Sequence, residues 1–213
     1  MSNPNLPHPS NHFIPTHGGY KNLLSYQRAE IVYDATVHFT KRFFRLSDRT
    51  IDQMVQAARS GKQNIAEASF ASGTSKESEI KLTNVARASQ EELLIDYRDF
   101  LRTRNLPEWA AAHPFAKRTG ELSRIKNATY TTFEKGIEHE NPEISANVII
   151  GLIKITTCLL SKQLKRLEQD FLKNGGLRER MTQARLSIRN NPSKDAYDTR
   201  RSNQAPQSPD PSN

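Results

Sequence analysis

IDQMVQAARSGKQNIAEASFASGTSKESEIKLTNVARASQEELL, residues 51–94, decides the fold. In its first half Ile51, Met54, Val55, Ala58, Ile65 and Ala68 recur at three- and four-residue steps, the period of one stripe on an α-helix. Ala57 and Gly61 keep the surface beside that stripe low, so a neighbouring helix can come close. The run ends at Ser72 and Gly73, where glycine can take the left-handed geometry that closes a helix, and Thr74 with Glu77 offers a capping box for the next one. Two helices joined by so short a turn lie antiparallel. The second runs from about Ser75 to Arg104, roughly 45 Å of helix, and turns Ile80, Val85, Leu93, Tyr97, Phe100 and Leu101 towards a core, with Leu82, Ala86, Ser89 and Glu92 beside them.

Polar residues interrupt both stripes. Gln53, Asn64, Glu67, Ser89 and Glu92 lie beside or between apolar positions, and a buried carboxylate is costly unless it is paired or hydrogen-bonded. Either they satisfy one another across the helix pair as a structural polar network, or they mark the solvated edge of the stripe. An earlier helix, from about Leu23 to Phe44, carries Ala29, Val32, Thr36, Phe39 and Phe43 at the spacing of a bundle seam. A later one opens at Asn141-Pro142-Glu143, which supplies an N-cap, a proline at the first helical position and an acid near the positive dipole end, and it continues to about Lys173.

The first half of that last helix, ISANVIIGLIKITTCLL, is apolar almost all round. Interrupted by Asn147 and Lys154, it reads as too short for a membrane span. Burial on two sides accounts for it: Val148, Leu152, Ile155 and Leu159 would fill the bundle, and Ile149, Ile153 and Leu160 would form an oligomer interface with a second subunit. Cover by the chain's own segment from Leu106 to Glu140 is the alternative. In that segment Pro107-Glu108-Trp109 and His113-Pro114-Phe115 read as two helix starts, with a weak helical period through Leu122, Ile125, Phe133 and Ile137. Trp109 is either an anchor against the bundle or a base-stacking platform.

The combination of Gln53, Ala57-Ala58 and Asn64-Ile65-Ala66-Glu67 with Val85-Ala86-Arg87-Ala88-Ser89 and Glu92-Leu93 resembles the signature of a bacterial four-helix-bundle family. That family includes proteins encoded in intervening sequences of large-subunit ribosomal RNA genes and the accessory variability determinant of diversity-generating retroelements. The longer stretches KNLLSYQRAEIVYDAT, DRTIDQMVQAARSGKQNIAEAS and ASGTSKESEIKLTNVARASQEELLIDYRDFLR resemble its four-helix-bundle suffix-domain branch more closely. The likeness is strong from Gly19 to Arg104 and continues through the pattern of Asn141 to Arg189. In one place the chain departs from it, with Ala68 standing where the family's N-I-x-E-G has glycine. The resemblance implies a left-handed four-helix bundle assembled into a ring, typically a pentamer, with a basic surface and no active site, holding a reverse transcriptase and nucleic acid.

The fold expected is therefore all-α: an antiparallel up-down four-helix bundle over residues 20–190, with a helical insertion at about 105–140 and a short extra helix at 177–189. The tails, 1–19 and 191–213, are poor in apolar runs and read as disordered, and neither a signal peptide nor a membrane anchor is expected at the N-terminus. The three basic and three acidic side chains after residue 190 cancel and the first nineteen residues carry none, so the whole net charge of +8 belongs to the bundle. A positive bundle attracts polyanions. The single cysteine, Cys158, excludes an internal disulfide and a cysteine-based metal cage; it reads as packed and fits a reducing, cytoplasmic compartment.

The strongest basic cluster lies in the final third, where Lys162, Lys165, Arg166, Lys173, Arg178, Arg180, Arg185 and Arg189 face only Glu168, Asp170 and Glu179. After Asn174-Gly175-Gly176 a short helix would dock by Leu177, Met181, Ala184 and Ile188 and turn Arg178, Arg185 and Arg189 outward. The candidate nucleic-acid-binding residues are thus Lys154, Lys162, Lys165, Arg166, Lys173, Arg178, Arg185 and Arg189, gripping phosphate of RNA or DNA by charge and bidentate geometry. An ordinary solvated face has the same composition. The phosphate-loop, zinc-helix and serine-elbow motifs are absent, so neither catalytic residues nor a cofactor or metal is expected. The function expected is a non-enzymatic, oligomeric nucleic-acid-binding accessory of a reverse transcriptase or another nucleic-acid enzyme; the alternative is a protein-interaction scaffold.

Overall fold

The computed structural model describes residues 18–190; the tails expected at 1–19 and 191–213 lie outside the described residues except for Gly18 and Gly19. The described chain is all-helical, with no strand among these residues. A short 3-10 turn at Tyr20–Asn22 precedes α1 (Leu24–Phe43), α2 (Thr50–Ala71), α3 (Lys76–Thr103), α4 (Pro114–Leu122), α5 (Tyr130–Ile137), α6 (Pro142–Asn174) and α7 (Leu177–Asn190).

Local chemistry sets these limits. The Asn141 side chain accepts the Glu143 N–H at 2.9 Å and Pro142 occupies the first turn of α6, as the sequence predicts. Between α2 and α3 the details differ from expectation. Ser75 is the cap of α3, its Oγ accepting the Ser78 N–H at 3.1 Å, while Thr74 turns back to bond the Ala71 carbonyl. Gly73 is not in the left-handed region, which among the described glycines is occupied by Gly18 and Gly175. The end of α3 carries a Schellman motif: Asn105 adopts φ 54°, and the Leu106 and Asn105 N–H groups bond the carbonyls of Leu101 and Arg102.

The four long helices pack in a cycle, α1 on α2, α2 on α3, α3 on α6 and α6 on α1. The seams facing inward are Ala29, Val32, Thr36 and Phe39 from α1; Met54, Ala58, Gly61, Ile65 and Ala68 from α2; Ala86, Gln90, Leu93, Tyr97 and Leu101 from α3; and Ile149, Ile153, Thr156, Leu160 and Leu164 from α6. One end of this core is aromatic: the Phe39 ring lies 4.9 Å from Tyr97 and 4.8 Å from Phe100, and the Tyr97 hydroxyl donates to Thr36 Oγ1 at 3.2 Å. The other end is built on Ala29, Ala86, Ile65 and Leu160. At Gly61 the chain makes room for the buried Gln90 side chain, whose amide a β-carbon there would strike. Val85, expected in the core, is exposed; Ala86 takes the inward position instead.

The face assignment expected for α6 holds only in part: Val148 and Leu152 are buried as expected. Ile149, Ile153 and Leu160 are fully buried inside the single chain, and Ile155 and Leu159 are the partly exposed ones. Burying each of the three contributes about 1.5–3 kcal/mol to folding, and none is left to face a second subunit. The remaining side of the apolar half is covered by α4 and α5, the alternative that the sequence left open. Both approach closely because of glycine: a β-carbon on Gly151 would lie 3.2 Å from the Thr119 methyl, and one on Gly136 would lie 3.0 Å from Val148. By length and composition alone α6 could cross a membrane, contrary to the expectation that it is too short, but 56% of its apolar window is buried in the chain's own core.

Two polar side chains fasten the cover. Asn147 donates to the carbonyls of Pro107 and Glu143, both at 2.9 Å, and accepts the Trp109 N–H at 2.8 Å. It thereby pins 107–109 as irregular chain, where a helix start was expected. Trp109 is an anchor, its Nε1–H donating to Glu143 Oε1 at 3.0 Å and its ring stacked 4.3 Å from His113. Arg28, only 2% exposed, reaches from α1 to the α4–α5 turn and donates to the carbonyls of Ser123, Ile125 and Ala128 at 3.0, 3.3 and 3.1 Å. Burial lowers its pKa from the usual guanidinium value, and three carbonyl dipoles stand in for a carboxylate partner.

Replacing Arg28 by methionine leaves those carbonyls without their donors and should cost about 3 kcal/mol in urea unfolding. The same variant should be cut faster by trypsin at Arg124 or Lys126, both exposed in the turn that Arg28 holds. Unchanged stability and cleavage would show that the turn is held by other contacts.

Candidate nucleic-acid interface

The second half of α6 emerges from the covered region and changes character. Lys162, Lys165, Arg166 and Lys173 are all exposed, and none has a described carboxylate within 4.0 Å. The same holds for Arg178, Arg185 and Arg189 on α7. Two of the three acids nearby are already engaged. Asp170 lies 3.7 Å from Lys76 and bonds the Asn174 side chain, and Glu179 Oε2 accepts the Gly176 N–H at 2.9 Å, capping the start of α7. These cations therefore lack a direct ion-pair partner among the described residues.

Lys154 does not belong with them. Its ammonium pairs with Glu108 Oε1 at 2.6 Å, and Arg98 pairs with Glu108 Oε2 at 3.0 Å, so the three side chains clip the 107–109 segment across α3 and α6. Burial pushes the Glu108 carboxyl up, but the hydrogen bonds from Lys154 and Arg98 outweigh it and leave its pKa below the ordinary carboxylate range. On α7 the sides fall as expected, with Arg178, Arg185 and Arg189 exposed, but the docking is shallow. Leu177, Met181 and Ala184 are only partly buried, the Ile188 side chain lies outside what the structure describes, and among the described side chains of this helix none is fully buried.

Lys162, Arg166 and Lys173 line one side of an open groove of about 760 Å³ between α6 and the start of α1, with Lys76 and Glu79 of α3 at its end. Those three positions differ by four and eleven residues, steps that return to nearly the same azimuth on a helix. Ser25 donates to Gln163 Oε1 at 2.9 Å and ties the two walls together. Cys158, expected to be packed, is exposed on α6. Among the described residues there is no group of three or more His, Cys, Asp or Glu side chains placed to hold a metal ion.

The polar network expected between α2 and α3 is smaller and differently built. Ser60 and Ser89 share a hydrogen bond at 2.9 Å, and Asn64 donates to the Ser60 carbonyl and hydroxyl at 2.9 and 3.2 Å. Gln53, Glu67 and Glu92 are exposed and stand outside it, the edge alternative for these three. Ser60 escaped the sequence reading because serine is unremarkable on a helix flank; its position four residues before Asn64 was the available signal. Gln53 and Glu92 instead line an open groove of about 360 Å³ with Gln56, Ser60 and Asp96.

The chain matches no protein-family model, and comparisons with curated proteins and with solved structures likewise find no match.

The acidic groove yields a pH test. Asp96 has its pKa raised by burial first and by the charges of Glu92 and Asp99 second. A carboxyl with a raised folded-state pKa favours folding when protonated, and that contribution disappears as pH rises through the folded value. Asp96→Asn should therefore raise the melting temperature at pH 7, and the gain should vanish below about pH 4. An equal gain at both pH values would remove ionisation as its cause.

Proposed function

We propose that this protein is a non-enzymatic nucleic-acid-binding accessory whose four long helices form an antiparallel up-down bundle. It binds RNA or DNA through Lys162, Lys165, Arg166 and Lys173 of α6 together with Arg178, Arg185 and Arg189 of α7. The observation that supports this is the set of seven exposed cations with no described carboxylate within ion-pairing distance. Structural ion pairs elsewhere in the chain, such as Lys154–Glu108, show what a neutralised lysine looks like here. Phosphate contacts of this kind position a polyanion without reading its sequence. The enzyme it would assist is of the reverse-transcriptase class that the family resemblance implies.

Self-assembly into a ring, by resemblance a pentamer, belongs to the same proposal but moves to another surface. Val85 and Ile95 on α3, 39% and 57% exposed, replace Ile149, Ile153 and Leu160 as the apolar side chains available to a second copy. A scaffold that takes an acidic protein partner is the competing reading, and the groove between α1 and α6 favours it.

If about six phosphates are contacted per site, affinity for a DNA or RNA oligonucleotide should fall by about three orders of magnitude between 50 and 200 mM salt. Replacing Arg178, Arg185 and Arg189 by glutamate should weaken binding by at least about tenfold with helicity unchanged. Binding that is absent at low salt, or indifferent to these three substitutions, would favour the scaffold or remove α7 from the site.

A further inference from the structure

The groove between α1 and α6 has two kinds of surface. Its lip and floor are aliphatic, with Leu24 half exposed at the start of α1 and Leu159 and Leu167 partly exposed on α6. Its rim is cationic, formed by Lys162, Arg166 and Lys173. A phosphodiester backbone would use the rim and leave the leucines wet. The groove also lacks an aromatic ring on which a base could stack. Glu79 of α3 and Asp170, which lies between Arg166 and Lys173 on α6, share Lys76 at 2.9 and 3.7 Å, so the rim keeps a positive balance with Lys162, Arg166 and Lys173 free of direct carboxylate partners among the described residues.

We propose that this groove is a docking site for an amphipathic helix of a partner protein, with a leucine-type stripe laid on the aliphatic floor and carboxylates flanking it towards the rim. The dimensions suit such an occupant. Leu159 to Lys173 spans fourteen residue steps, about 21 Å of α6, which is the length of a helix of about four turns. A helix in a groove is recognised by anchors at i, i+3, i+4 and i+7, and here the anchors find leucines while the flanking acids find Lys162, Arg166 and Lys173. The charge complementarity excludes a basic occupant, so α7 of a second copy, with its outward arginines, does not fit. The site shares Lys162, Arg166 and Lys173 with the proposed nucleic-acid surface and differs from it in its apolar floor and in taking nothing from Arg178, Arg185 and Arg189.

The test uses the full chain and a fluorescein-labelled peptide of about fifteen residues, with leucine at helical anchor positions and glutamate on both flanks. A second peptide of identical composition has the two residue types permuted so that no stripe exists. The periodic peptide should bind saturably and the permuted one at least about tenfold more weakly, since an unburied leucine stripe forfeits well over 1.4 kcal/mol. Leu24→Asp, at an exposed position that the fold does not need, should weaken the periodic peptide by a similar factor and leave oligonucleotide binding unchanged. Glutamate at Arg178, Arg185 and Arg189 should do the reverse. The proposal is overturned if the periodic peptide does not bind, if both peptides bind alike, or if Leu24→Asp leaves peptide affinity intact or costs oligonucleotide affinity equally.

Discussion

An apolar helix with two greasy sides has to be covered on both, and in this chain the cover is supplied from within. α6 gives one side to α1 and α3 and the other to α4 and α5. The second contact is possible because Gly136 and Gly151 remove side chains where the elements meet, and because two polar groups turn the insertion's irregular backbone into bonded backbone. Asn147 satisfies the chain around Pro107 and Trp109, and Arg28 satisfies the turn from Ser123 to Ala128. Buried carbonyls left unbonded would each cost about 1–3 kcal/mol, so the insertion docks with its donors or hardly at all.

Covering α6 in this way divides the helix by function. The half up to Leu160 is spent on the core, and the half beyond it, though it still buries Leu164, projects cations with no direct carboxylate partner among the described residues. Lys154 stands at the border and is consumed by Glu108. Asp170 and Glu179, which by composition could have balanced the cluster, are used by Lys76, Asn174 and the first turn of α7. Net charge alone would not have shown this. What matters for a polyanion or an acidic helix is which charges remain after the structural pairs are formed.

Much of the fold was legible because periodicity and capping act locally. The stripes of α1 and α2, the start of α6 at Asn141-Pro142 and the anchoring of Trp109 follow from spacing and residue chemistry. The failures have physical causes. When a helix is apolar all round, period cannot tell which side meets the bundle, and so Ile149, Ile153 and Leu160 were placed facing outward. Gln53, Glu67 and Glu92 sit one azimuthal step from buried neighbours, where a few tens of degrees decide between core and water. Arg28 was passed over because a guanidinium at a seam position looks like an exposed cation until the carbonyls it meets are known. The candidate binding residues were legible as a cluster, but the loss of Lys154 depends on a contact with Glu108, 46 positions away in the chain, beyond any local rule.

The central claim is that both apolar sides of α6 are buried by the same chain. Amide hydrogen exchange of the full chain over Ile149 to Thr156, followed across a dilution of about a hundredfold, tests it most directly, because protection supplied by a second subunit weakens by mass action while protection supplied within one molecule does not. Protection near the global unfolding limit that is unchanged on dilution is the predicted result. Exchange that quickens in step with dilution would mean that a neighbouring molecule, and not the insertion, completes the cover.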